Sequence, residues 1–129
     1  MHIICADLGS TTTKIIEVDE EIKIVNKKIY QKEEPEKLLK DFIKNNNIEP
    51  QNIETIVITG VGIIKKQKIL EIPVNYIDEF KAIGLGGLKA SNKENVIVAS
   101  VGTGTAFIKA NNNKIEHLGG SRSRWRNVL

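Results

Sequence analysis

Two loops rich in glycine and threonine, far apart in the chain, each directly follow an apolar run. The first is Asp7-Leu8-Gly9-Ser10-Thr11-Thr12-Thr13-Lys14, after Ile3-Ile4-Cys5-Ala6. The second is Val101-Gly102-Thr103-Gly104-Thr105-Ala106, after Val96-Ile97-Val98-Ala99-Ser100. A tight turn of glycines and hydroxyl residues lets backbone N–H groups point at a phosphate without side-chain obstruction. Gly and Thr also populate ordinary hairpin turns, so one such loop says little. Two of them, each ending a strand that reads as buried, suggest two jaws closing on one nucleotide.

At 129 residues the chain is long enough for a domain with a real core. Its 40% hydrophobic and 27% charged residues fit a globular protein, and the formal charge is a mild +3. Lysines are scattered among glutamates rather than blocked, which predicts a solvated mixed surface and no nucleic-acid face. No apolar run approaches the roughly 20 residues of a membrane span, and the N-terminus lacks a signal-peptide pattern. A cytoplasmic protein with no membrane partner is expected. Cys5, the only cysteine, lies in the first apolar run with no His or base near it in sequence, so it reads as structural rather than nucleophilic.

Residues Ile3 to Ala6, Lys14 to Val18 and Ile22 to Tyr30 predict three consecutive strands, a β-meander. Pro35 opens a helix to about Asn46, with Leu38, Leu39, Phe42 and Ile43 on one stripe. Ile53 to Thr59 is continuous in Ile56, Val57 and Ile58, the mark of a buried strand. Gly60-Val61-Gly62 predicts a tight turn, Ile63 to Leu70 a short helix or irregular segment, and Pro73 to Ile77 a strand. Asp78 to Ala90 reads as helical despite Gly84, Gly86 and Gly87. Each glycine costs a helix roughly 1 kcal/mol relative to alanine, so either tight helix–sheet packing or ligand contact must explain them. Asn95 to Ser100, Ala106 to Ala110 and Lys114 to Leu118 predict a second meander, and strand–Gly/Thr turn–strand opens both.

An acidic residue ending a strand, then a Gly/Ser/Thr turn, then Lys has a mechanical logic. Asp7 can hold Mg²⁺ or its water shell, the amides of Gly9 to Thr13 can cradle phosphate oxygens, and Lys14 can offset their charge. The sequence holds no G-x-x-x-x-G-K-[ST], and no helix follows the first loop as a dinucleotide fingerprint requires. A hairpin-borne phosphate loop used twice resembles the actin, sugar-kinase and heat-shock ATPase superfamily. Within it, DLGSTTTK, DEFKAIGLGGL, VASVGTGTAF and HLGGS resemble, in order and spacing, type II pantothenate kinase.

That resemblance implies an α/β chain: an actin-like (ribonuclease H-like) lobe over residues 1–91, its mixed sheet built on a β-meander with flanking helices. The opening hairpins of a second lobe would occupy 92–121. It implies ATP and Mg²⁺ as cofactors and contacts to ATP from Gly9, Ser10, Thr11, Thr12, Thr13 and Lys14. It further implies ATP contacts in the second loop, at Thr103 with Gly102, Gly104 and Thr105. Glu79 matches the catalytic glutamate that takes the proton from the pantothenate hydroxyl, which leaves Asp78 as the helix cap. Pantothenate would be the substrate, phosphorylated in coenzyme A biosynthesis, and the full-length parent a homodimer. His117 stands where some relatives carry a substrate-clamping Arg, a weaker and titratable donor.

After Gly119-Gly120-Ser121 the pantothenate-kinase pattern continues as G-x-G-G-G-T, whereas this chain reads Arg122-Ser123-Arg124-Trp125-Arg126-Asn127-Val128-Leu129. Those residues can be encoded AGG AGT AGG TGG CGG AAC GTT TTA. Removing the first A gives GGA GTA GGT GGC GGA ACG TTT, which reads Gly-Val-Gly-Gly-Gly-Thr-Phe. The tail 122–129 is therefore expected to be frame-shifted and the chain to be a truncated, inactive fragment; an Arg/Trp nucleic-acid arm is the rival reading. The rival functions are another kinase of the superfamily, such as an amino-sugar kinase, an ATPase activator of a radical dehydratase, or a non-catalytic remnant. An activator would need Cys to bind an iron–sulfur cluster between subunits, and Cys5 sits in a strand.

Overall fold

This computed structural model describes residues 1–62, 64, 66–102 and 104–121, with only the backbone at Ser121. The tail 122–129 and its frame-shift reading lie outside the described residues, as does Thr103. The chain divides into two compact units, Met1–Ile77 and a second that begins at Asp78. The sequence reading set a boundary after Ser91, on the far side of the second helix.

The first unit is a six-stranded mixed sheet. β1 (His2–Leu8), β2 (Thr12–Val18) and β3 (Ile24–Gln31) form the expected meander. The third strand starts later than its pattern suggests, because Ile22 takes a positive φ of 60° in the preceding turn. Asp19 organises that turn, its carboxylate accepting from the amides of Glu21 and Lys23. β4 (Ile53–Gly60) pairs parallel to the free edge of β1, and β6 (Ile72–Tyr76) pairs parallel to β4. Two-residue β5 (Lys68–Ile69) pairs antiparallel with β6, giving the order β3-β2-β1-β4-β6-β5. Of the short helix or irregular segment expected over Ile63 to Leu70, the C-terminal end forms strand β5 instead of a helix, and Ile63 and Lys65 lie outside the described residues. The left-handed Leu70 and Glu71, with φ of 50° and 65°, turn the chain back on itself too tightly for a helix to continue.

Helix α1 (Pro35–Asn45) covers one face of this sheet. Pro35 supplies a preset φ at its start, and the Glu34 carboxylate caps the amides of Glu36 and Lys37. Its stripe of Leu38, Leu39, Phe42 and Ile43 meets Ile4, Ala6 and Leu8 of β1, Ile15 of β2, and Ile56 and Ile58 of β4. Full burial of each large side chain contributes roughly 1.5–3 kcal/mol. Strand alternation puts Ile3, Cys5 and Asp7, with Val57 and Thr59, on the opposite face, where they are half-buried. Burial also pushes the Cys5 thiol above its ordinary range, which keeps it protonated and fits a structural role.

In the second unit, helix α2 (Glu79–Ser91) packs on a three-stranded antiparallel meander of β7 (Asn95–Val101), β8 (Thr105–Asn111) and β9 (Ile115–Ser121). Asp78 caps the helix, its Oδ2 accepting from Lys81 N at 3.0 Å, and left-handed Asn92 ends it. The glycines of α2 resolve into two kinds. A Cβ at Gly87 would lie 2.2 Å from Val98 Cγ2, and one at Gly84 would lie 2.8 Å from Ile115 Cδ1. Gly86 faces open space. Helix–sheet packing therefore accounts for Gly84 and Gly87 without a ligand. No helix among the described residues is long and apolar enough to cross a membrane.

Candidate functional site

In the first unit the candidate site is the tip of the β1–β2 hairpin. Gly9 N donates to Thr12 O at 2.9 Å, and a Cβ on Gly9 would stand 2.7 Å from that same oxygen. The turn is closed so tightly that only glycine fits. Lys32 N donates to Thr11 O at 3.1 Å, tying the tip to the end of β3. From the other side Val61 N donates to Leu8 O at 2.8 Å. Gly60 makes that approach possible: its φ is +107°, and a Cβ there would lie 2.3 Å from Leu8 O. The loop is thus clamped by its own closure, by β3 and by the end of β4.

Alternation sorts the proposed phosphate contacts. Thr13 is buried on the core face beside Ile15, so only its backbone can serve a ligand. Asp7, Thr12 and Lys14 lie on the opposite face, where Asp7 is half-buried and Lys14 exposed. Asp7 pairs with Lys14 across β2 and with Thr59 across β4. A transverse row of Lys14, Asp7 and Thr59 therefore crosses three strands at the carboxyl ends of parallel β1 and β4, the edge where open α/β sheets place their ligands. Among the described residues no group of three or more His, Cys, Asp and Glu side chains could hold a metal by itself. The donor set at Asp7 fits a cation that keeps most of its waters and shares phosphate oxygens, as Mg²⁺ does.

In the second unit a cavity of about 260 Å³ opens at the start of α2. Glu79, Phe80 and Ile83 come from the helix, Ser100, Gly102, Gly104, Thr105 and Ala106 from the β7–β8 hairpin, and His117 and Gly120 from β9. Gly102 N donates to Gly104 O at 2.7 Å, which closes the hairpin. This brings Glu79 together with Gly102, Gly104 and Thr105. The His117 ring stacks on Phe80 with centroids 4.1 Å apart and planes 9° from parallel. A bulge skips Leu118, so that His117 pairs with Ile108 and Gly119 with Phe107. Such bulges re-aim a side chain next to a site.

The Phe80–His117 stack and Thr59 have no counterpart in the sequence reading. Phe80 follows Glu79 in an ordinary helical stripe, and Thr59 reads as one more β-branched strand residue. The only sequence signal for Thr59 is its position, last before the Gly60 turn.

No protein-family model and no curated protein matches the sequence. Solved structures do match, and they share the actin-like ATPase fold. The activator of 2-hydroxyisocaproyl-CoA dehydratase from Clostridium difficile, with bound ADPNP, superposes with a TM-score of 0.70 at 19% identity, covering 94% of this chain and 45% of its own. Component A of (R)-2-hydroxyglutaryl-CoA dehydratase from Acidaminococcus fermentans gives 0.70 at 18% identity, covering 95% and 48%. A ROK family protein from Streptococcus pneumoniae in complex with sucrose gives 0.60 at 20% identity, covering 90% and 48%. The chain has the actin-like fold and spans about half the length of these structures. At such identities the likeness carries the fold and not the substrate.

Proposed function

We propose that the chain is part of an ATP-dependent enzyme of the actin-like fold that grips the nucleotide phosphates through its β1–β2 hairpin. The observation that carries this reading is the Gly9 turn: no side chain fits there, and Asp7 and Lys14 flank it on one face. Asp7 would hold Mg²⁺, which when bound offsets the charge of the phosphates, and the amides around Gly9 would orient them.

The acceptor is proposed to be the pantothenate hydroxyl, on the strength of the four motifs in order and of Glu79 in the second unit's cavity. The acceptor oxygen bonds to the γ-phosphorus as the bond to ADP breaks, and the Glu79 carboxylate takes the hydroxyl proton. His117, held flat against Phe80, would present a ring nitrogen to the acceptor. A second reading, an ATPase that activates another enzyme, draws support from the dehydratase activator and the dehydratase component A, which superpose at 0.70 against 0.60 for the sucrose-bound ROK protein. A further kinase of the superfamily, acting on an amino sugar, is the third.

The tail 122–129 is proposed to be frame-shifted, and the deciding experiment is a coupled ADP-release assay on the protein with that frame restored, with pantothenate, with N-acetylmannosamine and with no acceptor. Turnover only with pantothenate supports the first reading, and turnover only with the sugar supports the third. Release without acceptor supports the ATPase. No release and no binding of ADPNP would overturn the nucleotide reading altogether.

A further inference from the structure

Thr59 is the last residue of β4 before the Gly60 turn, and its backbone is in register with Asp7. Its Oγ1 is shielded from solvent and has no hydrogen-bond partner, the one such side-chain atom found among the described residues. The chain satisfies a comparable buried group elsewhere. Glu17, on β2, accepts from Asn26 Nδ2 at 2.7 Å through one oxygen and lies 2.7 Å from His2 Nδ1 through the other. An unmet buried hydroxyl is costly, and packing does not call for it, since valine has the same shape and a high preference for strands. What remains is a partner that arrives with a ligand.

The position of Thr59 says which. Lys14 stands on the β2 side of Asp7 and Thr59 on the β4 side. A cation bound to the Asp7 carboxylate is repelled from the lysine and favoured toward the hydroxyl. We propose that Thr59 is a positioning residue of the phosphate site, its hydroxyl accepting a hydrogen bond from a water in the shell of the divalent cation held by Asp7. This rests on the reading of the β1–β2 hairpin as a nucleotide-phosphate loop. A small hydrated cation of this kind keeps several waters, and outer-shell groups that orient such ligands are worth about 10- to 100-fold in metal affinity.

The test measures protein-bound Mn²⁺ by equilibrium dialysis of the chain against Mn²⁺ and ADPNP, where both free Mn²⁺ and its ADPNP complex cross the membrane, and records melting temperatures without ligand. Thr59→Val should weaken Mn²⁺ binding about tenfold or more and leave the ligand-free melting temperature unchanged or higher. Thr59→Ser should restore the affinity, and Asp7→Asn should weaken it at least as much as Thr59→Val. If Thr59→Val binds like wild type while Asp7→Asn does not, the inference falls and the phosphate loop stands. If Thr59→Val unfolds or melts lower without ligand, the hydroxyl is structural and the inference also falls. If the wild-type chain binds no Mn²⁺ with ADPNP, the phosphate-loop reading falls and takes this inference with it.

Discussion

Two neighbouring glycines of α2 offer a test in which most unknowns cancel. Ala in place of Gly within a helix gains about 1 kcal/mol from backbone entropy alone, and the gain is common to Gly86→Ala and Gly87→Ala. At Gly86 the new methyl meets nothing within 4 Å. At Gly87 it lands 2.2 Å from Val98 Cγ2 and 3.4 Å from Val98 Cβ, where carbon atoms prefer about 3.5–4.0 Å. Val98 is β-branched and stiff at χ1, so it cannot swing aside cheaply. Overpacking of this kind costs about 1–3 kcal/mol. Gly86→Ala should therefore be more stable than the parent by about 1 kcal/mol. Gly87→Ala should be less stable than Gly86→Ala by the overpacking cost alone, about 1–3 kcal/mol. Urea unfolding followed by circular dichroism reads both, and Val98→Ala added to Gly87→Ala should recover much of the loss, as contacting residues couple. Equal midpoints for the two single variants would refute the close approach of α2 to β7.

If the tail is frame-shifted and Glu79 takes the acceptor proton as proposed, Glu79→Gln in the frame-repaired protein should lower turnover by about 10²- to 10⁴-fold with nucleotide affinity nearly unchanged. Asp7→Asn should weaken Mg²⁺-dependent nucleotide binding as well; near-wild-type turnover from Glu79→Gln would reduce that residue to a helix-end acid. Glu36 Oε2 lies 2.9 Å from Lys40 Nζ and 3.0 Å from Lys66 Nζ, and hydrogen bonds from these ammonium groups hold its carboxyl below the usual range. Whatever stability the pairs supply is complete above the unfolded carboxyl value and is lost as pH falls through the lowered folded one. A carbon-13 titration of Glu36 with an ordinary midpoint would contradict this. On the face of β7–β9 that carries Ile97 and Val101, these residues are 66% and 78% exposed. Sedimentation of the chain should show concentration-dependent self-association, and Val101→Lys should reduce it; a monomer at all concentrations counts against an adhesive face.

The elements best read from sequence are those whose signal is local. Pro35 and the stripe from Leu38 to Ile43 specify α1 within its own residues, and the alternation around Cys5 and Ile15 specifies the first meander. Asp78 is legible as a cap because capping is settled within one helical turn. What the sequence leaves open or does not announce depends on partners distant in sequence. Gly84 and Gly87 depend on Ile115 and Val98, so their reason is invisible until β7 and β9 are in place. β5 is two residues long and exists only because β6 pairs with it. His117 stacks on a ring from another element, and its aim depends on a bulge that no residue type announces. Thr59 is illegible for a different reason, since a strand threonine with a satisfied hydroxyl and one with an orphaned hydroxyl have the same sequence.

The two meanders open alike, each with a strand, a glycine-closed turn and a returning strand, yet their turns are held unequally. β1 is paired on both edges, by β2 and by β4. Val61, just past the end of β4, also bonds Leu8 O, directly before the Gly9 turn. Among the described residues β7 has β8 on one edge only. Site geometry is kept by the rigidity of the elements that carry it, so a strand doing for β7 what β4 does for β1 would stiffen the second loop as well. The Gly9 turn already has its buttress within Met1–Ile77. If the proposed nucleotide reading holds, cation and nucleotide binding measured on this chain should therefore respond first to changes at Asp7, Gly9 and Thr59, and less to changes at Gly102.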